Sequence, residues 1–123
     1  MTDPSRIGRR GEKLARRYLK SRGYKVIARN YRCPVGEIDL IVLDGRTIAF
    51  VEVKTRLGSR QADPEDTVTA AKRHQLTRVA RFWLSQHPAA DRTCRFDVVA
   101  VTLPHEGEPI IRHTPDAFEP RRW

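Results

Sequence analysis

The stretch GEIDLIVLDGRTIAFVEVKTR, Gly36 to Arg56, constrains the fold more than any other part of the chain. Two apolar, β-branched runs flank Asp44-Gly45, a pair favoured in tight hairpin turns because both residues tolerate positive φ. Strand side chains alternate between faces with period two. Val51, Val53 and Thr55 therefore share one face, and Phe50, Glu52, Lys54 and Arg56 the other. A two-residue Asp44-Gly45 loop sets Leu43 opposite Arg46, Ile41 opposite Ile48, Asp39 opposite Phe50 and Glu37 opposite Glu52. In that register Glu37, Asp39, Glu52 and Lys54 project from one face; a three-residue loop would change the partners.

The rest of the chain supplies helices to cover such a sheet. A helix is predicted from about Ser5 to Arg22, with Ile7, Gly11, Leu14, Ala15 and Tyr18 as its apolar stripe and Gly23 as its C-cap. A first strand follows over Tyr24–Arg32, ended by Cys33-Pro34. Arg56–Asp66 reads as a polar loop. A second helix starts between Asp63-Pro64 and Thr69 and ends by His87-Pro88, burying Leu76, Val79, Ala80, Trp83 and Leu84. Arg95–Thr102 is almost continuously apolar from Val98 to Val101, as an interior strand would be. Pro109–His113 reads as a short edge strand. The order α-β-β-β-α-β-β predicts an α/β fold, a mixed sheet flanked by helices. At 123 residues the chain is expected to be one domain, with a core of about 5–113 and a tail of 114–123.

Charge narrows the partner. Lys and Arg number 24 against 15 Asp and Glu, a net charge of +9, which points to a polyanion and to nucleic acid before a membrane surface. No apolar run approaches the roughly 18–20 residues that span a bilayer, and the first residues lack the apolar core of a signal peptide. Cys33 and Cys94 stand apart, with no CxxC and no neighbouring His, so they read as ordinary half-buried thiols of a soluble cytoplasmic protein. His74, His87, His105 and His113 show no ligand spacing and read as surface residues.

Like charges directly across a strand pair are destabilising, and burying them unpaired costs several kcal/mol each. A hard divalent cation relieves both, and one or two carboxylates with water and phosphate completing the shell are the usual setting for Mg²⁺. Lys54, two residues beyond Glu52, suits the stabilisation of charge on a phosphate. Glu-x-Lys alone is equally the spacing of a solvated ion pair. Asp39 on the neighbouring strand, the tight turn and the shared face make a hydrolytic metal site the better reading.

The same string, extended upstream through GEKLARRYLKSRGYKVIARNYRC and downstream to TVTAAKRHQL, resembles the YraN-like bacterial family of the PD-(D/E)xK (restriction-endonuclease-like) nuclease superfamily. The resemblance spans about Gly8 to Leu84 and implies a restriction-endonuclease-like αβββαβ core, shared with archaeal Holliday junction resolvases. It implies a metal-dependent endonuclease acting on nucleic acid, DNA rather than RNA, with branched DNA as one substrate class, Mg²⁺ or Mn²⁺ as cofactor, and a homodimer by analogy with resolvases. Asp39 matches the metal-binding aspartate, Glu52 the second acid and Lys54 the catalytic lysine, with the carbonyl of Val53 as a further metal ligand. Ile38 stands where the motif's name has Pro. Glu12 falls where resolvase-like members carry a first-helix acid; a surface acid paired with Arg16 is its alternative. Glu37 reads as a ligand, an outer acid or a solvated side chain.

Lys72 and Gln75, on or beside the inward stripe of the second helix, are candidates to reach the site and a phosphate. Lys72 snorkelling past the core is the alternative. Arg9, Arg10, Arg16, Arg17, Arg56, Arg60, Arg73 and Arg78 are candidate backbone contacts. Trp83 lies on the core stripe and is not expected to stack on a base. A non-catalytic DNA- or RNA-binding module that keeps the nuclease fold is the rival reading.

Overall fold

The computed structural model describes residues 4–58, 68–88 and 92–119. Its elements run α1 (Pro4–Ser21), β1 (Lys25–Cys33), β2 (Gly36–Asp44), β3 (Thr47–Leu57), α2 (Ala70–Gln86), β4 (Cys94–Leu103) and β5 (Ile110–Phe118), the order expected. The five strands form one sheet in the order β1-β2-β3-β4-β5. β3 and β4 run parallel and the other pairs antiparallel, because α2 intervenes where a parallel crossover needs it. This mixed α/β arrangement is compatible with a restriction-endonuclease-like core.

Each sheet face is buried under one helix. Ala15 and Leu19 of α1 pack with Leu40, Val42, Ala49, Val51, Val99 and Val101. Leu76, Val79, Ala80 and Trp83 of α2 pack with Ile38, Ile41, Ile48, Phe50 and Phe96 on the other side. Helix α1 ends as its glycine predicts. Gly23 takes φ +90, and the amides of Gly23 and Tyr24 donate to the carbonyls of Lys20 and Leu19, the paired bonds of a Schellman cap. Helix α2 begins at Thr69, whose hydroxyl accepts from the Lys72 amide at 3.2 Å. Gly11 lets α1 close onto the sheet, since a Cβ there would overlap the Thr55 side chain.

The structure corrects three expectations. The hairpin loop is Gly45-Arg46, not Asp44-Gly45: Asp44 pairs with Thr47, Leu43 with Ile48 and Ile41 with Phe50. Only Gly45 takes positive φ, at +59, so the glycine occupies the first loop position and Asp44 stays extended. Glu37 is therefore not opposite Glu52. Partners move by two residues, an even step, so the shift by itself changes no side chain's face over the paired residues Leu40–Asp44 and Thr47–Val51.

The second correction concerns the tail. β5 runs on through Phe118, whose ring stacks on Phe96 at 4.9 Å, and β3 likewise extends through Arg56 and Leu57. Arg60 and Asp63-Pro64 lie outside the described residues.

Third, His113 is not a surface histidine. Its side chain is 9% exposed and its Nε2 lies 2.8 Å from Oδ2 of the wholly buried Asp97. Asp97 also accepts from Arg95 Nε at 2.9 Å and from the Asp116 amide at 3.0 Å. Arg95 in turn reaches Asp44 at 2.9 Å and the Tyr24 hydroxyl at 3.0 Å. The guanidinium and these hydrogen bonds outweigh burial and hold the Asp97 carboxyl below the usual carboxylate range.

Asp97→Ala is expected to cost about 1–3 kcal/mol in urea denaturation, since it removes the buried acceptor of the Arg95, His113 and Asp116 hydrogen bonds while Arg95 keeps Asp44; a loss under about 0.5 kcal/mol would show that this network does not hold β5. Gly11→Ala should destabilise, although Gly to Ala within a helix ordinarily gains about 1 kcal/mol. Adding Thr55→Ala should recover much of that loss.

Candidate active site at a strand fork

The β2–β3 ladder stops at the Leu40–Val51 pair, although both strands continue past it. In the gap beyond, Oδ2 of Asp39 accepts the backbone N–H of Val53 at 2.7 Å, taking the place of a ladder carbonyl. A residue in an extended strand directs its N–H and C=O to the same side, so the Val53 carbonyl also faces this gap. Across β2, Asn30 adopts a left-handed conformation with φ +50, between the Arg29–Leu40 and Tyr31–Ile38 pairs. Strict alternation fails here: Ile38 packs on the α2 side and Leu40 on the α1 side. The fork opens the sheet to groups from both faces.

From the α1 side comes Glu12, whose carboxyl hydrogen-bonds to Asp39 and to the Asn30 side chain. From the α2 side comes Lys72, with Nζ 3.8 Å from Glu52 Oε1. Lys54 reaches the same oxygen at 3.9 Å. Glu37 stands at the rim, where it pairs with the exposed Arg32 at 3.1 Å.

Burial is the largest cause of the proton affinities at this cluster. It pushes Glu12 up to about 7, helped by the Asp39 charge, the hydrogen bond to Asp39 and the Glu37 charge, while Asn30 opposes. It likewise pushes Glu52 up to about 7, with Asp39 adding and Lys72 and Lys54 opposing. Asp39 is raised by burial against the lowering effect of the Val53 amide, Glu12 and Lys72. Acids from α1, β2 and β3 thus stand near one another at the fork with raised proton affinities, a pattern that marks a candidate site. Among the described residues no three His, Cys, Asp or Glu side chains converge closely enough to form a ready coordination shell.

The sequence matches a family model described as "Uncharacterised protein family UPF0102" over residues 11–101. The chain belongs to that family. It is 44% identical over 117 residues to a UPF0102 protein of Geotalea uraniireducens strain Rf4, covering 95% of this chain and 92% of that one. A UPF0102 protein of Nocardia farcinica strain IFM 10152 is 42% identical over 116 residues, covering 94% and 91%. Among solved structures, SfsA of Pyrococcus furiosus in complex with Ca²⁺ aligns at 16% identity and a TM-score of 0.41, covering 89% of this chain and 63% of that one, less than two thirds of its length. At that score the likeness bears no weight for fold or function.

The matched span in this UPF0102 chain includes Glu12, Asp39, Glu52, Val53, Lys54 and Lys72. Lys72 does reach the cluster, as its place on the inward stripe predicts. Gln75 is exposed and lies over Gly36, where a Cβ would come within 2.8 Å of its Nε2. Arg9, Arg10 and Arg17 are exposed along α1, Arg56 is exposed near the end of β3, and Arg16 is half-buried beside β1. Arg73 is occupied within the fold: its Nε donates to the Val68 carbonyl at 3.1 Å, and its guanidinium lies 5.2 Å from the centre of the Phe118 ring. Asn30 was not singled out from sequence. Its only signal there is that asparagine tolerates left-handed backbone inside an otherwise regular strand. Among the described residues no helix is long and apolar enough to cross a membrane.

The raised acids set a pH dependence. Glu12 and Glu52 move from 4.5 in the unfolded reference to about 7 in the folded chain, so the folded state holds their protons more firmly. The stability they contribute is complete below about 4.5 and lost as pH rises through about 7. Thermal melts from pH 4.5 to 8 should therefore decline across that window, and Glu52→Gln should decline less. Parallel curves would exclude Glu52 as a titrating group.

Proposed function

We propose that the chain is a metal-dependent phosphodiesterase of the PD-(D/E)xK type, hydrolysing nucleic acid, DNA rather than RNA, with branched DNA as its substrate class. The observation that carries this reading is the fork itself. It gathers Asp39, Glu52, Lys54 and Glu12 from three elements into one place, in a protein with a net charge of +9.

The donor set fits a hard divalent cation. Asp39 and Glu52 are hard oxygen donors, and burial, the largest cause, holds their proton affinities above the ordinary range, so that a cation would favour their charged forms. Asp39 and Glu52 with the Val53 carbonyl would hold Mg²⁺ or Mn²⁺, with Glu12 and Glu37 as outer acids. When bound, such an ion lowers the pKa of a water and polarises the phosphate. Lys54, anchored beside Glu52, stabilises charge developing on the phosphate oxygens. Lys72 neutralises Glu52 in the free protein and is placed to turn to an incoming phosphate. Exposed Arg9, Arg10, Arg17 and Arg56 supply contacts that carry no sequence information.

A second reading has its own support. Lys54 and Lys72 already meet Glu52 from two sides, so the cluster is partly neutralised without metal, as a binding module that retains the fold would be.

Titration of Mn²⁺ followed by EPR, with a four-way-junction DNA present, separates the two. The nuclease reading expects protein-dependent binding that Asp39→Asn abolishes, and a thermal shift that grows with Mn²⁺ concentration. Lys54→Met should then keep metal and DNA while losing roughly 10²–10³-fold in cleavage rate. Equal Mn²⁺ signals in wild type and Asp39→Asn would leave the binding module. DNA affinity should fall steeply with salt under either reading.

A further inference from the structure

On the α1 side of the fork lies a cleft of about 380 Å³ lined by Ile7, Gly8, Glu12, Val53, Thr55 and Leu57. The volume falls in the roughly 300–1,000 Å³ range of small-ligand clefts. Two of its walls belong to the carboxylate cluster: Glu12 hydrogen-bonds to Asp39, and the Val53 backbone donates to it. The remaining walls are apolar or small. Leu57 stands at the lip, 51% exposed, one of two large apolar side chains so exposed among the described residues.

Gly8 is the informative wall. It sits within helix α1, where glycine costs roughly 0.5–1 kcal/mol against alanine. Gly11, one turn on, earns its place by packing on Thr55, but a Cβ on Gly8 meets nothing within 4 Å. Among the described residues no packing requires Gly8 to be bare. Its lack of a side chain widens a cleft that opens beside a phosphate-cleaving cluster.

We propose that this cleft receives one unpaired nucleobase of the substrate, next to the scissile phosphate, and so selects DNA with splayed or unpaired nucleotides over continuous duplex. The proposal rests on the phosphodiesterase reading above. A base has the required shape and polarity, a flat apolar body carried on a phosphodiester. Apolar side chains such as Ile7 and Leu57 are the kind that sandwich an extruded base or wedge into a base step. A paired base cannot enter, because its faces are stacked within the duplex.

The test needs no catalysis. In EDTA, wild type is titrated into a splayed DNA carrying 2-aminopurine at an unpaired position, and into a fully paired duplex of the same length. The expected result is a change in 2-aminopurine emission with the splayed DNA and tighter binding to it. Gly8→Leu should fill the cleft and weaken binding to the splayed DNA about tenfold while leaving duplex affinity within about twofold. Gly8→Ala, which adds only a methyl group, should weaken binding to the splayed DNA less than Gly8→Leu does. Leu57→Ala, at an exposed site where stability moves little, should also lose splayed-DNA preference and guards against a misfolded Gly8→Leu. Unchanged preference in both Gly8→Leu and Leu57→Ala overturns the base-binding cleft while leaving the phosphodiesterase reading intact. Absence of affinity for either DNA overturns both. A wild-type dimer that Gly8→Leu converts to monomer, with splayed-DNA preference intact, overturns the proposal in favour of a contact between two copies of the chain.

Discussion

The hydrogen bond from the Val53 amide to Asp39 is the interaction on which the fork between β2 and β3 depends. An antiparallel ladder that simply frays leaves backbone groups unpaired, and a buried unpaired amide costs as much as a lost hydrogen bond. By placing a carboxylate where the next ladder carbonyl would sit, β2 ends its pairing at Leu40 without orphaning β3. β3 meanwhile stays paired to β4 along its whole length, from Ile48–Cys94 to Leu57–Leu103. One side of β3 is thus rigid and the other open. A side chain at the mouth of such a fork is held by the sheet yet accessible from both faces, which is what a precisely positioned site requires.

The molecule solves the problem of buried charge in two opposite ways. At the start of β4, Asp97 is entirely buried but meets Arg95, His113 and the Asp116 amide, and its proton affinity falls. At the fork, burial is the largest cause that raises the proton affinities of Asp39, Glu52 and Glu12, and the Asp39 charge adds to it at Glu12 and Glu52. Both regions satisfy their hydrogen bonds: among the described residues no buried side-chain nitrogen or oxygen lacks a partner. The difference lies in what opposes burial: hydrogen bonds from His113, Arg95 and the Asp116 amide outweigh it at Asp97, whereas the Val53 amide at Asp39 and the two lysines at Glu52 do not. The first network ties β5 and the β2–β3 turn to the sheet. The second leaves three acids with raised proton affinities where α1, β2 and β3 meet.

The sequence exposed the second network and hid the first. Glu52 and Lys54 break an apolar strand at period two, and Asp39 does so on its partner, so their clustering could be read before any coordinates. An error of two residues in the hairpin register left the facing of the paired residues intact, because the shift is even, but alternation could not show that Ile38 and Leu40 take opposite faces at the fork. Asp97 and His113 gave no such signal. They lie sixteen positions apart on different strands with no local pattern to pair them, and the Asp116 amide that completes the network lies beyond the expected Pro109–His113 segment, where Pro115 argues locally against a strand. Phe118 overrides the local preference by stacking on Phe96. Asn30 was hidden for a related reason: a left-handed residue inside a strand is a consequence of the fork, and alternation patterns do not encode forks.

Glu12 shows how closely packing and chemistry are joined here. A glutamate on the first helix can reach a β2 carboxylate only if the helix axis lies close to the sheet. Gly11 sets that approach, with Ala15 one turn later, and both are fully buried against it. The residue next to Glu12 therefore determines the proton affinity of the cluster without touching it. Pushing α1 outward with a single methyl group at Gly11 would lengthen the Glu12–Asp39 hydrogen bond, lower the desolvation of both acids and bring their titration back toward that of ordinary carboxylates. On this view the small residues of α1 are part of the electrostatics of the fork, and the helix is better described as the third wall of the site than as a cover for the sheet.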